Sequence, residues 1–275
     1  MENRELKKIA NEVRRGSITA VYNGKAGHPG GALSAADIIT FLYFEEMNID
    51  PANPSWEERD RFVLSKGHTA PALYAAMAER GYFDREELKT FRHLGCRLQG
   101  HPCMQFLPGI DMSTGSLGQG ISAAVGMALA GKVDHADYRV YTMVGDGECE
   151  EGQVYEAAMF AAAKKLDNLV VIVDYNNLQI DGNIEEVNNP KPLDKKFEAF
   201  NFHVINIDGH DFDAIRAAFK EARETKGQPT AIIAATLKGK DVSFMENKAE
   251  WHGKAPNDEQ YAQAMRELDA VAASL

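Results

Sequence analysis

The feature that most constrains the fold is the regular alternation of short apolar runs and amphipathic segments in the second half of the chain. Short apolar runs are typical of buried strands, and apolar residues spaced three and four apart are typical of helices. A helix between two strands returns the chain to the same sheet, so that the strands run parallel. We therefore predict an α/β fold, a mainly parallel sheet covered by helices on both faces. Strands are predicted for 138–144, 169–174, 204–208 and 230–236, and helices for 152–166 and 211–226.

The first half of the chain is predicted to be helical and rich in loops. Ser34 is the expected N-cap of its second helix, because a serine there can accept a bond from a free backbone N–H. The glycine- and proline-rich segment 95–120 is predicted to be a long loop of the kind that is usually functional. No linker or repeat divides the sequence, so we expect a single domain over 1–275. Further helices are predicted for 4–22, 70–80, 86–93 and 121–131, and a short strand for 61–64.

Charge and cysteine content narrow the classes of partner and compartment. Thirty Lys and Arg against 41 Asp and Glu give a net charge of −11, which argues against nucleic acid and anionic membrane surfaces as partners. A phosphate-bearing ligand would have to be held by a metal ion or by backbone amides. The three cysteines form no C-x-x-C pair, and neither a signal peptide nor an 18-residue apolar run is found. We expect a cytoplasmic protein.

Polar residues follow two of the predicted strands directly. Gly145-Asp146-Gly147 comes after the strand 138–144, and Asn176 and Asn177 come after the strand 169–174. The 28 residues between the two motifs (148 to 175) are enough for one helix and its two connections. Asp146 and Asn176 should therefore lie at the C-terminal ends of neighbouring strands, where open α/β sheets bind their ligands.

These residues supply oxygen ligands for a hard cation. The Asp146 carboxylate, the Asn176 amide oxygen and the backbone carbonyl of Leu178 form a ligand set that suits Mg²⁺, with Ca²⁺ or Mn²⁺ as alternatives. Gly147 lets the backbone approach a bound group, and its amide can donate to a phosphate oxygen. An acidic chain could thus bind a diphosphate through a cation.

Gly145-Asp146-Gly147 with Asn176 about thirty residues later resembles the signature of thiamine diphosphate enzymes. Five further segments resemble those of the transketolase family, in the order found in that family, and together they extend over nearly the whole chain. The segments are 27–30 (GHPG), 61–68 (RFVLSKGH), 100–102 (GHP), 114–120 (TGSLGQG) and 251–254 (WHGK).

The resemblance covers only the diphosphate-binding part of a transketolase, and it implies a thiamine diphosphate-binding fold. It implies the N-terminal subunit of a split enzyme of the pentose phosphate pathway, transferring a two-carbon ketol unit from a ketose phosphate to an aldose phosphate with thiamine diphosphate and a divalent metal. The family places the glutamate that protonates the aminopyrimidine in its pyrimidine-binding domain. We therefore expect this chain to be inactive without a C-terminal subunit carrying that domain, in a heterotetramer.

The resemblance also implies roles for four histidines that lie beside glycine or proline. His68 and His252 would reach the cofactor diphosphate, and His252 would also approach the substrate. His28 and His101 would contact the hydroxyl groups of the sugar and the carbonyl under attack. Polar loops of this kind suit the handling of protons and hydroxyl groups.

Five other residues receive roles from the same resemblance. Leu117, with Ser116 and Gly118, would offer backbone groups to the aminopyrimidine ring. Lys238 matches a lysine near the cofactor in some family members. Glu151 would lie at the subunit interface, in a hydrogen-bonded path between two active sites.

Two rival functions stay open at this point. The chain could be the cofactor-binding subunit of another thiamine diphosphate enzyme, such as a dihydroxyacetone synthase or a 2-oxo acid dehydrogenase. It could also be a non-catalytic regulatory homologue that keeps the fold. The histidine set favours a polyhydroxylated substrate, and the intact Asp146 and Asn176 argue against loss of function.

Overall fold

Five parallel strands form the central sheet of the computed structural model, which describes residues 1–275. A further pair of two-residue strands, β4 (Leu178–Gln179) and β5 (Gly182–Asn183), forms an antiparallel hairpin that the sequence pattern did not predict. Every predicted strand is present, with ends shifted by at most two residues. From one edge to the other, the sheet contains β1 (Arg61–Leu64), β2 (Val140–Gly145), β3 (Leu169–Tyr175), β7 (Thr230–Ala235) and β6 (His203–Asp208).

Helices cover both faces of this sheet, as predicted. Side chains alternate along β1, so that Phe62 and Leu64 join one apolar core while Val63 joins the other. The first core is covered by α1 (Asn3–Gly24), α2 (Pro29–Phe41), α3 (Ala70–Arg80) and α8 (Phe212–Glu224); the second is covered by α4 (Gln119–Val133), α5 (Gly152–Ala163) and α7 (Leu193–Ala199). The short helix α6 (Ile184–Val187) follows β5, and α9 (Asp258–Ser274) packs on α1. None of these helices has the length and apolar character that crossing a bilayer requires.

Two local predictions for helices are wrong, and the last helix of the chain was missed. The helix α2 begins at Pro29 rather than after Ser34, since proline is favoured in a first helical turn; Ser34 lies inside the helix. The predicted helix 86–93 is a 3-10 segment over Arg85–Thr90. The C-terminal helix α9 was not predicted, although Asn257 and Gln260 form a capping box at its start. The predicted long loop is present, because no helix or strand lies between Thr90 and Gln119.

This topology brings several loops to one edge of the sheet. The segments after β1, β2, β3 and β7 all leave the C-terminal ends of parallel strands. The register pairs Gly145 with Asp174, so that Asp146 and Asn176 follow neighbouring strands, as predicted. Candidate ligands from four strands therefore meet at this edge.

Close packing of α4 against the end of β1 gives a first testable prediction. A Cβ atom on Gly120 would lie 2.6 Å from the Cα of Ser65, whereas a Cβ on Gly126 in the same helix would meet nothing within 4 Å. We expect Gly120→Ala to lower the free energy of unfolding by about 1–3 kcal/mol through overpacking. Gly126→Ala should raise it by about 0.5–1 kcal/mol through helix propensity. Urea unfolding of both variants checks this, and effects of equal sign would contradict it.

Candidate active site

A pocket opens at the edge where the strand ends meet. Its wall is formed by the segments that follow β1, β2, β3 and β7, together with the first turn of α2 and the loop before α4. Eight of the residues proposed from the sequence line it. The lining residues are Gly31, Lys66, His68, Leu117, Gly145, Asp146, Gly147, Glu148, Asn176, Leu178, Gln179, Ile180, Lys238 and His252.

Asp146 is a buried carboxylate that forms no ion pair. Its Oδ1 accepts from the Gly147 N–H at 2.8 Å and its Oδ2 from the Asn177 N–H at 2.6 Å, and the side chain is 3% exposed. Burial and the nearby negative charge of Asp174 raise the pKa of Asp146 to about 6. A cation bound at this point would relieve the cost of burying the charge.

The amide of Asn176 is oriented by its neighbours. Its Nδ2 donates to Asp174 Oδ2 at 3.3 Å and to Ser34 Oγ at 3.4 Å, while its Oδ1 accepts from the Leu178 N–H at 3.1 Å. A carboxylate can only accept, so Asp174 holds the Nδ2 end of the amide and leaves the oxygen on the other side. The sequence pattern did not identify Asp174.

Asp174 is itself held by a network of buried donors. The Lys66 ammonium and the Thr236 hydroxyl donate to it, and the Ser34 hydroxyl donates to Oδ2 at 2.7 Å. Burial alone would raise the pKa of Asp174, but the charge of Lys66 lowers it below its ordinary value. Lys66 is 2% exposed and Asp174 is fully buried, so this ion pair is buried where Lys66 meets the pocket wall.

Lys238 lies between the Leu178 carbonyl, which is a proposed metal ligand, and the ring of His252. Its Nζ donates to the Leu178 carbonyl at 3.1 Å and lies 3.0 Å from His252 Nδ1. Burial and the charge of Lys66 lower the pKa of Lys238 to about 8. The carbonyl of Leu178 keeps a second lone pair, so the bond from Lys238 leaves it able to bind a metal.

Four half-buried histidines form a cluster at the pocket, and two of them, His68 and His252, line its wall. The ring centroids of His68 and His252 are 5.0 Å apart, and the ring of His28 lies 5.1 Å from His68 and 5.4 Å from His252. His101 is the outermost, with its ring 6.3 Å from that of His28. His28 and His101 therefore stand beside the pocket rather than in its wall.

All four imidazoles have lowered pKa values, so they are neutral at pH 7. Burial and then the charge of Lys238 lower the pKa of His252 to about 3, and burial and then the charge of Arg92 lower that of His28 to about 4. Burial is also the main cause of the lowered pKa of His68 and of His101. A neutral imidazole can both donate and accept a proton.

The remaining proposed residues lie outside the pocket wall. Ser116 and Glu151 are exposed, and Gly118 is buried with φ at 79°, where glycine is favoured. Glu151 faces Gly118, because a Cβ on Gly118 would be 3.1 Å from the Glu151 Cβ. Leu117 alone of the loop 116–118 reaches the pocket.

Three glutamates follow Gly147 in the segment 148–151, and one of them, Glu148, lies in the pocket wall. It is 2% exposed and accepts from the Ser65 hydroxyl, from the Gly118 N–H at 2.9 Å and from the Gly145 N–H at 3.0 Å. Burial raises its pKa, and the three donors oppose that shift. The carboxylate of Glu148 thus joins three loops of the pocket.

The residues present fit a metal and a diphosphate group. Asp146 offers an uncompensated carboxylate, and two buried polar atoms beside the pocket, Asn177 Oδ1 and His28 Nδ1, have no hydrogen-bond partner. Gly145 ends β2 and Gly147 follows it, and because neither has a Cβ atom, a ligand can approach the backbone closely there. Lys66 and Lys238 both line the pocket, and Lys238 forms no ion pair of its own whereas Lys66 is paired with Asp174.

Sequence reasoning missed Gly31, Lys66, Glu148, Asp174 and Gln179. Lys66 belonged to a segment that was singled out as a whole, but nothing in its spacing showed that its ammonium would be buried. Asp174 ended an otherwise apolar strand, which is an unusual place for a charge and was an available signal. Glu148 could not be distinguished from Glu150 and Glu151 without the geometry of the turn.

Comparison with known proteins agrees with this geometry. Residues 5–271 match the family model described as transketolase, thiamine diphosphate binding domain. The chain is 48% identical over 265 residues to a 6-deoxy-6-sulfo-D-fructose transketolase subunit of Clostridium sp. (strain MSTE9), covering 96% of each. It is 44% identical over 268 residues to one of the named subunits of the apulose-4-phosphate transketolase of Phocaeicola vulgatus, covering 98% of this chain and 94% of that one.

A solved structure shows the same fold. The transketolase of Campylobacter jejuni superposes with a TM-score of 0.92 at 35% sequence identity, over 98% of this chain. The chain spans 43% of the length of that structure. The predicted parallel sheet with helices on both faces is therefore confirmed both directly and through a structural relative.

Proposed function

Since the chain belongs to the transketolase family, we propose that it is the N-terminal, thiamine diphosphate-binding subunit of a transketolase that transfers a two-carbon ketol unit between sugars. The observation that carries this proposal is the meeting of Asp146 and Asn176 at adjacent strand ends, in one pocket with Lys238 and His252. Residues 1–275 would act as one diphosphate-binding domain.

Three residues would hold the divalent metal: Asp146 through its carboxylate, Asn176 through its amide oxygen and Leu178 through its carbonyl. His68 and Lys238 would donate to the diphosphate, and so would the Gly147 N–H once a metal replaces it as the partner of Asp146 Oδ1. Mg²⁺ suits this oxygen set, and Ca²⁺ and Mn²⁺ share the preference. When bound, thiamine diphosphate supplies the electron sink for breaking and forming the carbon–carbon bond.

The histidines would bind the sugar and move protons. His252 accepts from Lys238 at Nδ1, so in its neutral form its proton is on Nε2. His28 has an unpartnered Nδ1 beside His252, and His101 lies further out. A row of neutral imidazoles can contact successive hydroxyl groups and exchange a proton with the reacting oxygen. Ser116, Leu117 and Gly118 would face the aminopyrimidine ring.

The acid that protonates the aminopyrimidine would come from a second subunit. Asp146 and Glu148 are the carboxyl residues in the pocket wall; the first is a proposed metal ligand and the second is bonded to three donors. The similar proteins from Clostridium and Phocaeicola are both named as transketolase subunits. We propose a partner that carries the pyrimidine-binding domain, in a heterotetramer with Glu151 near a subunit interface.

The test is a ketol-transfer assay on the chain with and without its co-expressed partner, in the presence of thiamine diphosphate and Mg²⁺. Product should form only when both subunits are present, because the acid and the second half of the cofactor site lie on the partner. Full turnover by this chain alone would contradict the proposal. Co-purification and mass measurement of the complex would establish its stoichiometry.

The rival activities are tested in the same assay. Two similar subunits are named for 6-deoxy-6-sulfo-D-fructose and for apulose 4-phosphate, so a sugar with an acidic group is the proposed substrate class. Turnover of a 2-oxo acid in place of a ketose would favour a dehydrogenase subunit. Failure to bind the cofactor even with the partner would favour a regulatory protein.

A cytoplasmic location and a role in the pentose phosphate pathway stay predictions.

A further inference from the structure

A histidine outside the pocket wall bonds to the segment that carries Lys238. His210 lies in the turn between β6 and α8, and its Nε2 accepts from the Leu237 N–H at 2.9 Å. The same turn packs on the end of β7, because a Cβ atom on Gly209 would lie 2.6 Å from Thr236 Cγ2. His210 therefore holds the backbone immediately before Lys238.

The two bonds of His210 specify one form of its ring. Its Nδ1 lies 2.6 Å from Asp37 Oδ2, and a carboxylate can only accept, so Nδ1 carries a proton. Its Nε2 accepts from a backbone N–H, so Nε2 carries none. Both bonds together require the neutral imidazole with its proton on Nδ1. In this form the ring joins a carboxylate on α2 to a peptide group that follows β7.

A buried arginine holds Asp37 in turn. Arg14 on α1 is 3% exposed and donates from Nη1 and Nη2 to the two carboxylate oxygens of Asp37. Such a two-bond pair fixes the orientation of the carboxylate. The Arg14 Nε lies 3.4 Å from Oδ2 of Asp241, three residues after Lys238. Arg14, Asp37 and His210 thus form a network that contacts the chain on both sides of Lys238.

The position of Lys238 depends on its backbone, because no carboxylate pairs with its ammonium. The side chain is 2% exposed, and its Nζ bonds to the Leu178 carbonyl and lies near His252 Nδ1, at 3.1 and 3.0 Å. Its stem packs on the first turn of α2, where a Cβ atom on Gly30 would lie 3.1 Å from Lys238 Cγ. A shift of the backbone at Leu237 would therefore move the ammonium away from both contacts.

We propose that His210 is a positioning residue that holds Lys238 in place for the diphosphate of the cofactor, by accepting from the Leu237 N–H. The proposal rests on the function proposed above and adds to it a residue that acts from outside the pocket wall. Loss of Nε2 would leave this N–H without its acceptor, which is costly for a partly buried group. The peptide would then move toward another acceptor, and Lys238 would move with it.

Two substitutions separate the two ring nitrogens. The Oε1 of a glutamine can take the place of Nε2 and accept from the Leu237 N–H, whereas the shorter asparagine reaches only the place of Nδ1. In the assembled complex with Mg²⁺, His210→Asn should raise the Kd of thiamine diphosphate about 10-fold, in the range found for groups that support ligands. His210→Gln should raise it by less than about threefold. Isothermal titration calorimetry measures both values.

A double-mutant cycle tests whether His210 acts through Lys238. Lys238→Met alone should raise the Kd of thiamine diphosphate by about 10- to 100-fold, because it removes a charge-assisted bond. Adding His210→Asn to Lys238→Met should raise it by less than about twofold more, since effects that pass through one contact do not add. Additive effects would show that His210 acts by another route and would overturn the proposal.

A second histidine gives the matched control. His203 lies at the opposite end of β6 from the pocket, with its Nε2 2.6 Å from Glu221 Oε1. His203→Asn should bind thiamine diphosphate as the wild type does. Equal Kd values for His210→Asn, His210→Gln and the wild type, or equal losses in both variants, would overturn the proposal. A wild-type complex that bound no thiamine diphosphate would overturn the proposed function itself, and this inference with it.

Discussion

Asp146→Asn is expected to abolish metal-dependent cofactor binding while the chain stays folded. Mutation of groups that only support metal ligands costs about 10- to 100-fold in affinity, so loss of a ligand carboxylate should exceed about 100-fold. The free energy of unfolding of the metal-free chain should change by less than about 1 kcal/mol, because two effects of the change oppose each other. Asparagine relieves the buried charge of Asp146 but loses the bond that Oδ2 accepts from the Asn177 N–H.

Mn²⁺ binding followed by electron paramagnetic resonance, in the assembled complex with thiamine diphosphate, measures the effect directly. Asp181→Asn is a matched control, because Asp181 is an exposed aspartate in the turn of the hairpin β4–β5 and lies outside the pocket wall. It should bind Mn²⁺ as the wild type does. Undiminished Mn²⁺ affinity in Asp146→Asn would remove this residue from the metal site.

Lys66→Met should be strongly destabilising, by about 3–5 kcal/mol, because it leaves Asp174 buried without its counter-ion. The same change should weaken Mn²⁺ binding, since the network around Asp174 holds the amide of Asn176. Urea unfolding of the isolated chain gives the first quantity. The double variant Lys66→Met with Asp174→Asn should regain part of the loss, because it removes the unpaired charge.

An exposed lysine gives the control for this prediction. Lys89 pairs with Glu86 on the surface, and side chains of such pairs contribute at most about 1 kcal/mol. Lys89→Met should therefore unfold close to the wild-type urea concentration. A similar small effect for Lys66→Met would show that the buried pair does not stabilise the fold and that Asn176 is oriented by its other contacts.

Much of the fold followed from local sequence patterns, because each pattern was strong over its own segment. The parallel strands were short apolar runs, and the two motifs after β2 and β3 placed Asp146 and Asn176 together without any knowledge of distances. The predicted start of α2 was wrong, since Ser34 has the residue type of an N-cap but lies inside the helix, which begins at Pro29. The capping box of α9 was present in the sequence at Asn257 and Gln260 and was overlooked.

The parts of the site that could not be predicted depend on contacts between distant segments. Lys66 and Asp174 are 108 residues apart in sequence, and only their burial in one place makes them a pair. Among the acids after Gly147, the turn buries Glu148 and leaves Glu151 exposed, which residue type alone cannot indicate.

The three bonds that Glu148 accepts have a consequence for how this site can diverge between relatives. Ser65, Gly118 and Gly145 belong to three separate loops, and one carboxylate fixes the relative positions of all three. A change of length in any one of these loops would displace the Glu148 carboxylate and weaken its bonds to the other two loops. The loop 92–106 makes no bond to Glu148, so its length is expected to vary between relatives without disturbing these three loops.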